Sequence, residues 1–235
     1  MTFQVALVGC DGLVIGSDRL GTHAGTTQEG TTAFIQKAEQ KKYVVSDTGS
    51  LICFAAGGYL APQLAQQIAL KCDFAPDAHD QTVLQWQEAV SQLAHDLSFD
   101  YESRDEILIA RHDVTDRFWI VRRAVKKSLL TGQPTPAASI TDIRNCLCTG
   151  DAVAAVFLGH FWNRKAPIAE LQNLAALMLS YAAQESQSVG PPFDIMCLHR
   201  SGEIEWKVVP GLVHQDFDRD VRRLINKSVK IGMKS

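Results

Sequence analysis

Apolar residues cluster over 3–8 and 13–17, and Gly9-Cys10-Asp11-Gly12 lies between them. Short apolar runs that flank an Asp-Gly pair predict two strands joined as a hairpin. The stretch 21–40 is polar and rich in Gly and Thr, and reads as a long loop. A second hairpin is predicted from 43–45 and 51–56, turning at Ser46-Asp47-Thr48-Gly49. Two helices follow, over 61–71 and 81–97. In the second, Trp86, Val90, Leu93 and Leu97 recur at the spacing of one helix face. A third hairpin joins 106–111 to 117–122 through a turn at 112–116. The segment 145–148 reads as a strand that enters a helix at Thr149-Gly150-Asp151. A further helix starts after Pro167 and carries Leu171, Leu174, Met178 and Tyr181 on one face. A fourth hairpin is predicted from 193–199 and 204–208, and a last amphipathic helix from 217–229.

Antiparallel hairpins thus alternate with helix pairs. Two sheets packed face to face, with helices on both outer faces, bury every apolar face in one structure. The expected class is α+β, a four-layer αββα sandwich. No Pro/Ser-rich linker, repeat or low-complexity tract divides the chain, so 1–235 is expected to form a single domain.

Composition narrows the chemistry. The 235 residues are 46% hydrophobic and 21% charged, ordinary values for a globular protein. A net charge of −3 gives no electrostatic footprint for nucleic acid or an anionic membrane. No apolar run approaches the ~20 residues of a membrane-spanning helix, and the first residues lack the form of a signal peptide. The cysteines, Cys10, Cys53, Cys72, Cys146, Cys148 and Cys197, mostly sit in apolar segments, as reduced thiols do in the cytoplasm. Cys146 and Cys148 lack further soft ligands at turn spacing, and the histidines show no paired motif. Neither a metal nor another cofactor is expected.

Thr2 is the first candidate for chemistry. Removal of Met1 would leave a terminal threonine, whose α-amine titrates near pH 8 and sits within reach of its own hydroxyl. Hydroxyl and amine then form a minimal nucleophile–base pair.

Four stretches, in order along most of the chain, resemble the β-type subunits of the proteasome family, the N-terminal-nucleophile (Ntn) hydrolases. The small bacterial homologues, the group that includes Anbu, are the most similar. The first stretch runs from Thr2 to Asp18, where the family has a terminal threonine and an Asp-Ser-Arg after the second strand; here the triplet is Asp18-Arg19-Leu20. The second ends in Ala56-Gly57-Gly58, like the family's Ala-Gly-Gly before its first helix. The third is Cys148-Thr149-Gly150-Asp151 in place of a Gly-Ser-Gly turn. The fourth runs from Glu185 through Ser188 to Val189-Gly190-Pro191-Pro192. It stands where proteasomes have Asp-x-x-Ser-Gly-Gly and the bacterial homologues Val-Gly-Pro-Pro.

The resemblance implies a threonine peptidase. Thr2 would be the nucleophile and Asp18 a carboxylate that orients a lysine. Gly57 would supply an oxyanion N–H, and Thr149, Glu185 and Ser188 would relay a proton and position the amine. The family's lysine lies at the start of the third strand, and Lys37, Lys41 and Lys42 all qualify. Counting back across the hairpin from the turn near Thr48 places Lys41 and Lys42 opposite Phe54 and Ala55. Lys42 is favoured, Lys41 follows if the register slips by one, and Lys37 needs a longer strand. The resemblance further implies homo-oligomeric stacked rings, peptide or unfolded-protein substrates, and room for an unfoldase partner. Two other readings stay open, an amidase of small substrates and a catalytically silent, ring-forming scaffold. Trp86, Phe161 and Trp162 are apolar surface either for ring contacts or for the subunit's own core.

Overall fold

A computed structural model describes residues 2–26, 32–57, 61–73, 80–96, 105–127, 134–150 and 152–211. In chain order its strands begin with β1 (Gln4–Val8), β2 (Gly12–Asp18), β3 (Leu20–Thr26), β4 (Thr32–Glu39), β5 (Tyr43–Val45) and β6 (Leu51–Ala56). Helices α1 (Ala61–Lys71) and α2 (Asp80–Asp96) follow, then β7 (Asp105–Arg111), β8 (Val114–Lys127), β9 (Pro134–Ile143) and β10 (Cys146–Thr149). The described chain ends with α3 (Ala152–Phe161), α4 (Ile168–Glu185), β11 (Phe193–His199) and β12 (Ile204–Val209).

The first hairpin closes where Gly9 N–H donates to the Gly12 carbonyl at 2.8 Å. Its strands are buried along their whole length because both their faces are covered. They form the middle of an antiparallel sheet in the order β10-β1-β2-β11-β12. A second antiparallel sheet has the order β5-β6-β7-β8-β9. Ala6, Ile15 and Met196 of the first sheet meet Phe54, Leu108 and Phe118 of the second in an apolar layer between them. On the outer face of the second sheet, Leu64 and Ile68 of α1 and Trp86 and Val90 of α2 cover Cys53, Ile109 and Trp119. On the outer face of the first, Leu158 of α3 and Leu171 and Met178 of α4 cover Phe3, Val5 and Ile195. The architecture is the expected αββα sandwich. Among the described residues no helix is long and apolar enough to cross a membrane.

Three expectations are corrected. The loop expected over 21–40 contains a two-stranded ribbon, β3 paired with β4 from Leu20↔Glu39 to Thr26↔Thr32. It belongs to neither five-stranded sheet, so it carries no apolar alternation. Its threonines suit extended backbone without marking it. Strand β9 was not foreseen because Pro134 and Pro136 interrupt it. It lies at a sheet edge, the place where a strand tolerates proline. The turn expected at 112–116 narrows because β8 begins at Val114, opposite Arg111. The Arg111 guanidinium clasps Asp113 across it, Nε to Oδ1 at 3.0 Å and Nη2 to Oδ2 at 2.6 Å.

Trp86 is fully buried and packs edge-on against Trp119, ring centroids 4.9 Å apart. Its Nε1–H donates to the Cys72 carbonyl at 3.1 Å. Trp162 donates from Nε1 to the Val8 carbonyl at 3.0 Å, so both tryptophans serve the subunit itself. The helix expected over 217–229 lies outside the described residues.

Candidate active site

Strand β2 ends at Asp18, which is out of solvent. Its Oδ1 accepts the Phe3 N–H at 3.0 Å. Its Oδ2 accepts the Leu20 N–H at 3.1 Å and the Lys42 ammonium at 2.8 Å. Lys42 Nζ also donates to the Leu20 carbonyl at 2.8 Å. The lysine arrives from the other sheet, just before β5, where its own carbonyl accepts the Ala55 N–H at 2.8 Å. Its side chain keeps 8% of its surface exposed.

Burial dominates the ionisation of both groups. It raises the Asp18 carboxyl above its ordinary value, against the pull of Lys42 and of two backbone N–H groups. It lowers the Lys42 ammonium, against the pull of Asp18. The lysine is therefore held closer to losing its proton than a surface lysine would be.

Thr2 is half-buried beside this pair. The N–H that Asp18 Oδ1 accepts belongs to the Thr2–Phe3 peptide, so the carboxylate fixes that unit directly. The Thr2 carbonyl is met by Gly150, in the turn between β10 and α3. A Cβ on Gly150 would stand 2.6 Å from that oxygen, and its φ is +93°, so only glycine permits this approach.

Other expected residues are placed as follows. Gly57 follows β6 directly, exposed, with φ +124°. It lies two residues past Ala55, at the end of the sheet that Lys42 reaches. Gly58 and Asp151 lie outside the described residues. Lys41 is exposed, its ammonium 5.8 Å from the centroid of the Tyr43 ring. Lys37 sits in β4 opposite Thr22, and its side chain is not among those described. Thr149 ends β10 opposite Gln4. Its hydroxyl is buried without a hydrogen-bond partner, so it does not cap α3. Ser188 is half-buried, its hydroxyl 2.9 Å from that of Ser186. The segment that follows folds against the site, with the Pro192 carbonyl accepting the Arg19 N–H at 3.1 Å and Gly190 lying against Leu20. Glu185, the last residue of α4, is exposed.

Two residues beside the site escaped the sequence reading. Arg19 grips Asp194 with a guanidinium fork, Nε to Oδ2 at 2.8 Å and Nη2 to Oδ1 at 2.5 Å. Its Nη1 reaches Glu39 at 2.7 Å, and the two carboxylates raise its pKa further. The signal was Asp194, a lone acid inside an otherwise apolar strand. The second residue is Gln4, wholly buried in β1.

No protein-family model and no curated protein matches the sequence. Solved structures do. An Anbu mutant (Gly-1) from Hyphomicrobium sp. strain MC1 superposes with a TM-score of 0.62 at 15% identity, over 100% of this chain and 97% of that one. Anbu from Yersinia bercovieri, described as an ancestral β-subunit, gives 0.60 at 14% identity, over 99% and 97%. The Anbu complex of Pseudomonas aeruginosa, solved as a helical assembly, gives 0.56 at 20% identity, over 99% and 95%. The chain has the Anbu fold. In that fold the Asp18–Lys42 pair lies at one end of the sandwich, beside the first residues of β1.

Proposed function

We propose that the chain is a threonine-type peptidase whose nucleophile is Thr2, exposed by removal of Met1. The supporting observation is the carboxylate of Asp18, which holds the Thr2–Phe3 peptide with one oxygen and the Lys42 ammonium with the other. Thr2 Oγ attacks the scissile carbonyl while its own α-amine takes the proton and passes it to the leaving amine. The Lys42 ammonium favours the neutral, basic form of that amine through its charge. The Gly57 N–H stabilises the oxyanion. Thr149 and Ser188 complete the polar surroundings, and Glu185 acts only where it can turn back towards the site from its exposed helix end. Water then hydrolyses the ester. In this reading 1–235 is one domain that acts in the cytoplasm on peptides or unfolded proteins. It works within stacked homo-oligomers, as the helical assembly of the Pseudomonas aeruginosa neighbour suggests, and an unfoldase is a candidate partner.

The exposure of Glu185 favours one other reading, a silent scaffold of the same fold. Intact-mass analysis after treatment with a peptide boronate or β-lactone separates the two. The peptidase reading expects a chain lacking Met1 and a single adduct, absent in Thr2→Ala. A retained Met1 with no adduct leaves the scaffold, and labelling that survives Thr2→Ala removes Thr2 as the nucleophile.

A further inference from the structure

A single row of buried polar side chains crosses the first sheet at the end nearest Thr2. The register aligns Thr149 of β10 with Gln4 of β1, Gln4 with Ser17 of β2, and Ser17 with Asp194 of β11. All four are buried, and Gln4 is 0% exposed. The next row inward on the same strands is Leu147, Ala6, Ile15 and Met196, which pack in the core between the sheets. Strand alternation puts the polar row on that same face. An apolar residue in place of Gln4 would extend the core by one layer.

Half of the row is satisfied. Asp194 is gripped by Arg19, and the Ser17 hydroxyl donates to the Asp18 carbonyl at 3.2 Å. The other half is not. Neither amide atom of Gln4 has a hydrogen-bond partner, and neither has Thr149 Oγ1. Buried polar groups are bonded to protein or to ordered water in nearly every protein. Here an acceptor, an NH2 donor and a hydroxyl that can be either sit on neighbouring strands, a set that complements water.

We propose that Gln4 and Thr149 hold internal water in the row behind Thr2, and that Gln4 is thereby a positioning residue for ester hydrolysis. The water site stands on the geometry alone, whereas the role in hydrolysis rests on the reading of Thr2 as nucleophile. Thr2 precedes Gln4 by two residues, about 7 Å along a strand. The held water therefore does not attack; it orients the next water outward. The oxygen of that outer water adds to the acyl carbon and one of its protons passes to the Thr2 α-amine. The bond from the acyl carbon to Oγ then breaks, and Oγ takes the proton from the amine.

The test has two arms, both on the full-length assembly. The first is a crystal structure at water-resolving resolution of the wild type, Gln4→Met and Thr149→Val. Ordered water within about 3.2 Å of the Gln4 amide and Thr149 Oγ1 is expected in the wild type and absent from both variants. A dry row, or a Gln4 amide bonded directly to protein, overturns the site. The second arm follows the acyl-enzyme by time-resolved intact mass after mixing with an activated peptide ester. Gln4→Met should acylate within about twofold of the wild-type rate, yet its adduct should persist roughly tenfold longer. An unchanged lifetime overturns the positioning role. If no adduct forms on the wild type, that role falls with the nucleophile reading, and the water density still decides the site. If Gln4→Met does not fold, the near-isosteric Gln4→Leu carries the adduct lifetime, and Thr149→Val carries the water readout alone, with Thr149→Ser expected to restore the water.

Discussion

Among the described residues, the Asp105–Arg123 and Asp18–Lys42 pairs are the most deeply withdrawn from solvent, and their cations differ. Asp105 and Arg123 are direct cross-strand neighbours on β7 and β8, with Arg123 Nε 2.9 Å from Asp105 Oδ2. Both are sealed inside, at 0% and 1% exposure. Asp18 and Lys42 come from different sheets and meet at an end of the sandwich. A guanidinium never loses its proton in a protein and presents a rigid fork. An ammonium can be neutralised by burial, and Lys42 is displaced in that direction. Burial thus produces a permanent fastening in one place and an adjustable charge in the other. The adjustable one lies beside Thr2.

Arg123→Met should break the fastening. It leaves Asp105 buried without its guanidinium, which costs about 3–5 kcal/mol. Denaturant unfolding should show that loss, while peptidase turnover per folded molecule stays within about twofold. A matching fall in turnover would mean that the second sheet's ion pair reaches the site, and the contrast between the pairs would fail.

Lys42→Met should give the opposite profile. Asp18 keeps its two backbone donors and is already raised towards its neutral form, so the stability loss is smaller, about 1–3 kcal/mol. Turnover should fall at least about tenfold, the effect of a single unit of pKa on a neighbouring base. The double variant Asp18→Asn with Lys42→Met should regain most of the stability and none of the activity, because burying a neutral pair removes the desolvation cost. A double variant as unstable as the sum of its parts would show that the pair holds the fold together. If Lys41→Ala or Lys37→Ala is the inactive variant instead, the role assigned to Lys42 is wrong.

The contrast also explains what could be read beforehand. Hairpins were legible where Asp-Gly or Gly49 marked the turn, and helices where Trp86 and Val90 repeat on one face. Counting back from Thr48 brought Lys41 and Lys42 opposite Phe54 and Ala55; the observed register is one residue on, with Tyr43 opposite Phe54 and the Lys42 carbonyl accepting the Ala55 N–H. The ribbon of β3 and β4 was hidden because it packs in neither sheet and needs no apolar period. Strand β9 was hidden by prolines that only an edge position excuses. Arg19 and Asp194 lie 175 residues apart, so no local pattern could join them. Gln4 was passed over because one amide in an apolar strand shows its oddity only when its lack of partners is seen. The exposure of Glu185 was equally illegible, since the last turn of a helix can face either way.

Titration sharpens the contrast further. Folding lowers the Lys42 pKa, so between its folded value and 10.5 the unfolded chain binds the extra proton. In that window stability rises with pH. Asp18 is raised, so the folded chain binds the extra proton just above 3.8, and stability falls as pH climbs through the carboxylate range. The difference in unfolding free energy between wild type and Lys42→Met should therefore grow in favour of the wild type as pH rises towards 10.5. Wild type against Arg123→Met should show no such alkaline slope, because arginine does not titrate there. A flat difference for Lys42 would mean that its proton is held as tightly as on the surface.

The smallest effect is expected at the third cation, Arg19, which belongs to both kinds. Its fork to Asp194 is part-buried, a looser version of the Arg123 pair, while its remaining arm reaches Glu39 on the ribbon, and the Glu39 side chain is 57% exposed. An exposed arm is screened by water and contributes about 0–1 kcal/mol. Glu39→Gln should therefore shift stability by less than about 1 kcal/mol. The ribbon base is held without it, because the Gln40 N–H donates to the Arg19 carbonyl at 2.7 Å and Leu20 is held through both its N–H and its carbonyl. Turnover should consequently change by less than about twofold, read as kcat and KM for one peptide at two salt concentrations. A rise in KM that high salt reproduces in the wild type would mean that the exposed arm holds the ribbon in place for substrate. The Arg19 cluster would then join Lys42 as a working charge, instead of joining Arg123 as a fastening.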